Sequence, residues 1–231
     1  MGIGDFFSGI KGKVTESVME KAIENMRDLK VPVKEGAVND LIEQCLVGKN
    51  GVKKASVDLS RDGVEVKISY SDGRDSEKRL LGFEKMIWTP QKKAFNFTCG
   101  EEPLSWGVYA CMCVTLGTLL RQIMGFNEKK SPYKDEFSKD IQPIIEGILQ
   151  KEGRVNFDLR RVPFLRQYYY FKVMGQSPLE YMNVVDCWLE GGKFIVRIDN
   201  NAVVDKLKSM DPKQLQEAMK NFKESDLSEE E

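Results

Sequence analysis

A charge-free stretch near the middle of the chain constrains the fold more than any other feature of the sequence. No charged residue occurs between Leu104 and Leu120, and apolar residues lie on every side of the helix that Pro103–Met124 predicts. A helix that is apolar all round is either the centre of a protein core or in contact with lipid. A membrane span needs about 20 apolar residues. The charge-free run is slightly shorter, which favours a buried helix.

Alternating apolar and polar residues predict short strands on both sides of this helix. Residues 55–59 and 64–68 alternate on either side of Asp62-Gly63, a dipeptide typical of a tight hairpin turn. One apolar and one polar face per strand indicate an antiparallel sheet that is covered on one side only. Further strands are predicted over residues 79–89, 94–99, 154–162, 184–190 and 193–199.

Helical periodicity predicts amphipathic helices at both ends of the chain, over residues 14–29 and 207–222, with further helices over 33–47 and 135–150. The fold class expected is α+β: a strongly curved antiparallel sheet wrapped around a long apolar helix, with amphipathic helices at both ends. The predicted division is an N-terminal helical segment (1–30), a single α+β domain (31–200), and a C-terminal helix with an acidic tail (201–231).

Composition argues against several classes of function. The chain has no histidine, which removes histidine-based nucleophile pairs and imidazole metal ligands. Thirty-five basic and 36 acidic residues nearly balance, so nothing indicates nucleic-acid binding. The five cysteines form no Cys-x-x-Cys pair and are interpreted as small buried hydrophobes. We therefore expect a non-enzymatic protein with no catalytic residues, no metal site and no cofactor.

The first residues of the chain have the pattern of an interfacial segment. Phe6, Phe7 and Ile10 share one helical side, with Lys11 and Lys13 just beyond. Such a segment can lie on a membrane with its lysines toward anionic headgroups. The alternative is a terminus that packs its phenylalanines on the body of the protein. Because the N-terminus lacks the apolar core of a signal peptide, the expected location is the cytoplasm, with membrane association through this segment.

An arginine- and tyrosine-rich segment offers one polar alternative. Arg160, Arg161 and Arg166 lie close in sequence to the tyrosines at 168–170. Clustered arginines beside aromatic rings can bind phosphate. The interpretation favoured here is that the arginine stems pack over the edge of the core beside the tyrosine rings.

The apolar faces of the predicted strands and central helix are the main candidate site. If they meet, they form an ordinary core; if a curved sheet holds them apart, they line a groove suited to an acyl chain. Ten methionines in the chain slightly favour an adaptable apolar lining. The candidate ligand-binding residues are Val57, Leu59, Val64, Val66, Ile68, Phe95, Phe97, Trp106, Met112, Leu116, Val155, Phe157 and Leu159.

The order of these elements resembles the tubular lipid-binding superfamily, whose fold is that of the bactericidal/permeability-increasing proteins. The resemblance lies in an amphipathic helix, a Val-x-x-Ala-x-Val-x-Leu strand from Val52, the Asp62-Gly63 turn and a Val-x-Val-x-Ile strand from Val64. The later strand from Val155 to Pro163 is similar in style. The resemblance implies a twisted sheet wrapped on a long helix, with a lipid-accepting groove between them.

Two main functions of different class follow, and an enzyme that uses carboxylates or lysine is a third, minor alternative. The first is a non-enzymatic binding protein that holds a lipid or other apolar small molecule in the groove and contacts a membrane surface through residues 2–13. The second is a closed-core interaction or scaffold protein that binds another protein through its terminal helices. A homodimer is compatible with either.

Overall fold

The structure of the chain, a computed structural model, describes residues 27–124, 148–170, 178–201 and 204–205. These residues form an α+β fold with two antiparallel sheets and a long apolar helix, as the sequence predicts at that level. The predicted terminal helices over 14–29 and 207–222 lie outside the described residues, apart from residues 27–29.

The described chain starts with strand β1 (Asp28–Lys34), which leads directly into helix α1 (Glu35–Leu46). Four strands and the apolar helix come next: β2 (Val52–Ser60), β3 (Gly63–Tyr70), β4 (Glu77–Trp88), β5 (Lys93–Thr98) and α2 (Trp106–Met124). The remaining elements are β6 (Ile148–Lys151), β7 (Arg154–Asp158), α3 (Pro163–Tyr170), α4 (Pro178–Tyr181), β8 (Asn183–Leu189) and β9 (Lys193–Asp199).

The strands divide between two sheets. One has six strands in the order β2-β3-β4-β5-β7-β6, and the other has three in the order β1-β9-β8. Neither sheet is strongly curled or closed, so the expected single, strongly curved sheet is wrong at this level of detail. Alternation along a strand identifies its buried face, but it does not say which strands share a sheet.

Two segments predicted as helix ends are strands. Asp28 and Leu29 close the predicted helix over 14–29 but belong to β1, which pairs with β9. The predicted boundary between residues 30 and 31 therefore falls inside β1. Residues 148–150 close the predicted helix over 135–150 but belong to β6, which pairs with β7. In both places pairing with a neighbouring strand overrides the local helical pattern.

Helix α2 is a core helix. From Gly107 to Ile123, every residue except Gln122 is buried. The helix packs against α1, α3 and the inner side of β1, β2 and β3. Its close approach to β3 depends on Gly107, because a Cβ atom there would lie 2.6 Å from Ile68 Cδ1 and 2.7 Å from the Tyr70 hydroxyl oxygen. The prediction of a buried helix is confirmed.

Phenylalanine rings join the two sheets into one core. The centroid of the Phe194 ring, on β9, lies 5.2 Å from that of Phe83 and 6.4 Å from that of Phe95. Phe97 continues the contact, with its ring centroid 5.4 Å from Phe83 and 5.8 Å from Phe157. All four pairs meet edge to face, an arrangement that aromatic rings favour.

Helix α1 covers the outer edge of β2. The Asn39 side chain donates to the Val57 carbonyl oxygen at 2.9 Å and accepts from the Val57 N–H at 2.8 Å. Glu35 Oε2 accepts from the Leu59 N–H at 2.9 Å. An edge strand with free backbone groups can pair with another chain. These three bonds occupy such groups on β2.

Candidate functional site

The predicted groove residues lie together in the core of the structure. Twelve of the thirteen are no more than 3% exposed and belong to one apolar cluster: Val57, Leu59, Val64, Val66, Ile68, Phe95, Phe97, Met112, Leu116, Val155, Phe157 and Leu159. Trp106 is the exception, because it is half-buried at the start of α2 and packs against the same cluster.

These faces meet rather than stand apart. Because so little of each side chain is exposed, the apolar faces of the sheet and of α2 pack directly against each other in the part of the chain that the structure describes. Burying a side chain of this size fully is worth roughly 1.5–3 kcal/mol. An acyl chain could enter only if the sheet and the helix separated and that stabilisation was lost. The groove, which was predicted on the basis that a curved sheet holds these faces apart, stays a prediction.

The predicted membrane-contact residues, Phe6, Phe7, Ile10, Lys11 and Lys13, lie outside the described residues. Membrane contact through this segment therefore stays a prediction.

An open cleft lies where the two sheets meet. Its volume is about 440 Å³, and its lining residues are Arg61, Phe83, Trp188, Leu189 and Glu190. They come from the β2–β3 turn, from β4 and from the end of β8, segments that are far apart in sequence. None of the five is among the residues predicted from the sequence. The one available signal is that Arg61 and Glu190 stand beside the turn dipeptides Asp62-Gly63 and Gly191-Gly192.

Glu35, the first residue of α1, forms hydrogen bonds to both hairpins beside the cleft. The Glu35 N–H donates to the carbonyl oxygen of Gly192 in the β8–β9 turn at 3.0 Å. The carboxylate of the same residue accepts from Leu59 on β2 at 2.9 Å. One residue thus bonds to both hairpins that contribute lining residues to the cleft.

A second candidate group of residues surrounds a buried lysine, Lys93. Lys93 is 2% exposed, and its ammonium donates to the Thr89 carbonyl oxygen at 3.1 Å. Its Nζ atom lies 5.6 Å from the ring centroid of Trp88 and 5.7 Å from that of Tyr169. Burial lowers the pKa of Lys93 below its ordinary value, and the charge on Arg160 lowers it further.

Replacing this lysine by an apolar residue is expected to stabilise the protein. Lys93→Met removes a charge that is costly to bury, so the free energy of unfolding at neutral pH should rise by about 1 kcal/mol. Because the folded-state pKa is lowered, the cost is fully present below that pKa. It is relieved as the pH rises through it toward the ordinary lysine range. The gain should therefore shrink in urea unfolding at increasing alkaline pH.

The exposed neighbour Lys92 supplies the matched control. Lys92→Met should change the free energy of unfolding by less than about 0.5 kcal/mol at every pH tested. A Lys93→Met protein that is less stable than the wild type at neutral pH would contradict the assignment of Lys93 as a buried charge that costs stability.

The arginines near α3 make contacts within the protein. The Arg160 guanidinium stacks 4.6 Å from the Tyr169 ring centroid and donates to the Tyr169 hydroxyl and to the Pro90 carbonyl oxygen. Arg166 Nε donates to the Arg160 carbonyl oxygen at 2.9 Å. These contacts agree with packing over the edge of the core, the interpretation that the sequence favours.

The five cysteines are buried free thiols. Burial raises the pKa of Cys111 to about 12 and raises that of Cys187 well above its ordinary value, so these thiols are unreactive. The described residues contain no group of three potential metal ligands. Helix α2 is long and apolar enough to span a membrane by length and composition, and 94% of its apolar window is buried inside the protein.

No family model, curated protein or solved structure matches the chain. Function is therefore inferred from the residues and their geometry.

Proposed function

We propose that this chain is a closed-core, non-enzymatic interaction protein that binds another protein through its terminal segments. The observation that carries the proposal is the burial of the predicted groove residues, twelve of which are no more than 3% exposed. A protein that carries a long apolar ligand needs a cavity or cleft that covers most of the ligand. Here the apolar faces of the sheet and of α2, which could line such a cavity, are packed against each other.

The two ends of the described chain support the choice of binding element. The Asn200 N–H donates to the Arg27 carbonyl oxygen at 2.9 Å. The Arg27 guanidinium donates to the Asn201 side chain at 3.0 Å and pairs with the Asp205 carboxylate at 2.8 Å. Arg27 and Asp205, the described residues next to residues 1–26 and 206–231, therefore lie side by side.

The predicted helix over 14–29, whose last two residues belong to β1, would therefore end near the point where the predicted helix over 207–222 begins. The sequence predicts apolar faces on the helices over 14–29 and 207–222. Two amphipathic helices that depart from one point can offer a joint apolar surface to a partner helix or groove. The Arg27–Asp205 ion pair is partly exposed and stabilises the fold by at most about 1 kcal/mol. It matters here because it shows that residues 27 and 205 lie close together.

The location and assembly that accompany this function are proposals as well. An interaction protein of this kind would work in the cytoplasm, as a monomer or as a homodimer through the same terminal surface. Contact of residues 2–13 with a membrane is compatible with it, since the apolar side of that segment can face lipid.

Native mass spectrometry of the full-length protein purified from cells distinguishes this function from a lipid carrier. We expect the mass of the bare chain, because a filled core leaves no room for an acyl chain. The same sample, extracted with organic solvent, should release no stoichiometric lipid, and the protein should take up no fluorescent fatty acid.

The opposite result would favour the carrier. A bound mass of several hundred daltons that extracts into organic solvent would show that the sheet and α2 separate in solution. The predicted groove residues would then be the lining of that opened state, and the interaction function would be abandoned.

A further inference from the structure

We propose that the cleft between the two sheets binds a small zwitterion with an apolar side chain, such as a free aromatic or aliphatic amino acid. Arg61 would hold its carboxylate, Glu190 its ammonium, and Phe83, Trp188 and Leu189 its side chain. This inference is independent of the proposed protein partner, because it concerns a different surface and rests on different residues.

The apolar part of the cleft fits a side chain of modest size. Phe83 and Trp188 offer half-buried aromatic surface, and Leu189 is 7% exposed. The volume of about 440 Å³ is at the lower end of the range for small-molecule sites, roughly 300–1,000 Å³. The cleft is therefore large enough for one amino-acid-sized ligand.

The charged groups of the cleft come from opposite hairpins. Arg61 lies in the β2–β3 turn and Glu190 in the β8–β9 turn, and both are exposed. Neither forms an ion pair with any residue that the structure describes. Trp188 Nε1 donates to Glu190 Oε2 at 3.1 Å and so directs the carboxylate. A guanidinium can grip a carboxylate with two parallel bonds.

The charge balance around the cleft favours a neutral zwitterion over an anion or a cation. The lining carries one positive group, Arg61, and one negative group, Glu190. A ligand with one charge of each sign matches this field without leaving a net charge behind.

Three related probes separate the contributions of the two charges. We would titrate full-length protein with phenylalanine, phenylacetate, which lacks the ammonium, and phenethylamine, which lacks the carboxylate, using isothermal titration calorimetry. Phenylalanine should bind at least about tenfold more tightly than either analogue, the factor expected from one charge-assisted hydrogen bond. The indole N–H resonance of Trp188, assigned with Trp188→Phe, should shift on binding.

Two substitutions test the roles of the charges. Arg61→Gln should weaken phenylalanine and phenylacetate about tenfold and leave phenethylamine unchanged. Glu190→Gln should weaken phenylalanine and phenethylamine and leave phenylacetate unchanged, while its amide oxygen still accepts from Trp188. Arg161→Gln removes an exposed arginine that does not line the cleft, so all three affinities should stay at their wild-type values.

Three outcomes would overturn the proposal. Phenylalanine could show no saturable binding, the three probes could bind equally, or both cleft variants could keep wild-type affinities. Equal binding would mean that only the apolar surface is used. Unchanged affinities would place the ligand elsewhere on the protein.

Discussion

Val66→Glu is expected to unfold the protein. Val66 is fully buried on the inner side of β3, within the cluster that surrounds α2. A carboxylate placed there has no partner, and an uncompensated buried charge costs roughly 3–5 kcal/mol. That cost is a large share of the 5–15 kcal/mol that stabilises a typical domain. Circular dichroism at 25 °C and urea unfolding would measure the loss.

The same substitution on the other face of the strand is the control. Ser69 lies on the outer side of β3, where it pairs with Lys54, so Ser69→Glu should change the free energy of unfolding by less than about 0.5 kcal/mol. A lipid carrier makes a different prediction. If Val66 lines an open groove, Val66→Glu should stay folded and lose only the uptake of fatty acid. That result would contradict a closed core.

Local sequence patterns were sufficient for the elements whose partners are close in the chain. The hairpin β2–β3 follows from alternation on either side of Asp62-Gly63, and β8–β9 from the same pattern around Gly191-Gly192. The burial of α2 follows from its charge-free composition. In these cases the residues that determine the element also lie within it.

Elements that depend on distant partners were not predictable in this way. Strand β1 pairs with β9, which lies at the other end of the domain's sequence, in a register that joins Val31 to Val196. Nothing within residues 28–34 identifies that partner, so the local pattern predicts the end of one helix, a loop and, at Val33 and Lys34, the start of the helix over 33–47. The division into two sheets was missed for the same reason, because each hairpin is compatible with either a shared or a separate sheet.

The candidate sites show the same limit. The sequence identifies which residues of β3 and β5 face inward, such as Val66 and Phe97, but an apolar face looks the same in a groove and in a core. The distance between facing surfaces decides between them, and that distance depends on packing of α2. The cleft was missed because Arg61, Phe83 and Trp188 come from three separate segments. The resemblance to tubular lipid-binding proteins stays a prediction.

Phe194→Ala is expected to cause the second large loss of stability. The Phe194 side chain is 1% exposed and meets the Phe83 and Phe95 rings of the other sheet. Truncating a buried phenylalanine costs about 3–5 kcal/mol, because apolar contacts are lost and a cavity remains. The midpoint of urea unfolding should fall accordingly. These rings join the two sheets, so the unfolding curves followed by fluorescence and by circular dichroism test how far the sheets stay coupled without Phe194. Coincident curves would mean that the remaining contacts still couple the sheets.

Ile195→Ala provides the control on the next residue of β9. Ile195 is half-buried on the opposite face of the strand and pairs with Trp188 and Pro32 rather than with the other sheet. Its truncation should cost no more than about 1 kcal/mol. If Phe194→Ala costs no more than this control, the aromatic contacts do not stabilise the junction. The two sheets would then be held together by α2, which packs against β1 as well as β2 and β3, and by the bonds of Glu35 to β2 and to the β8–β9 turn.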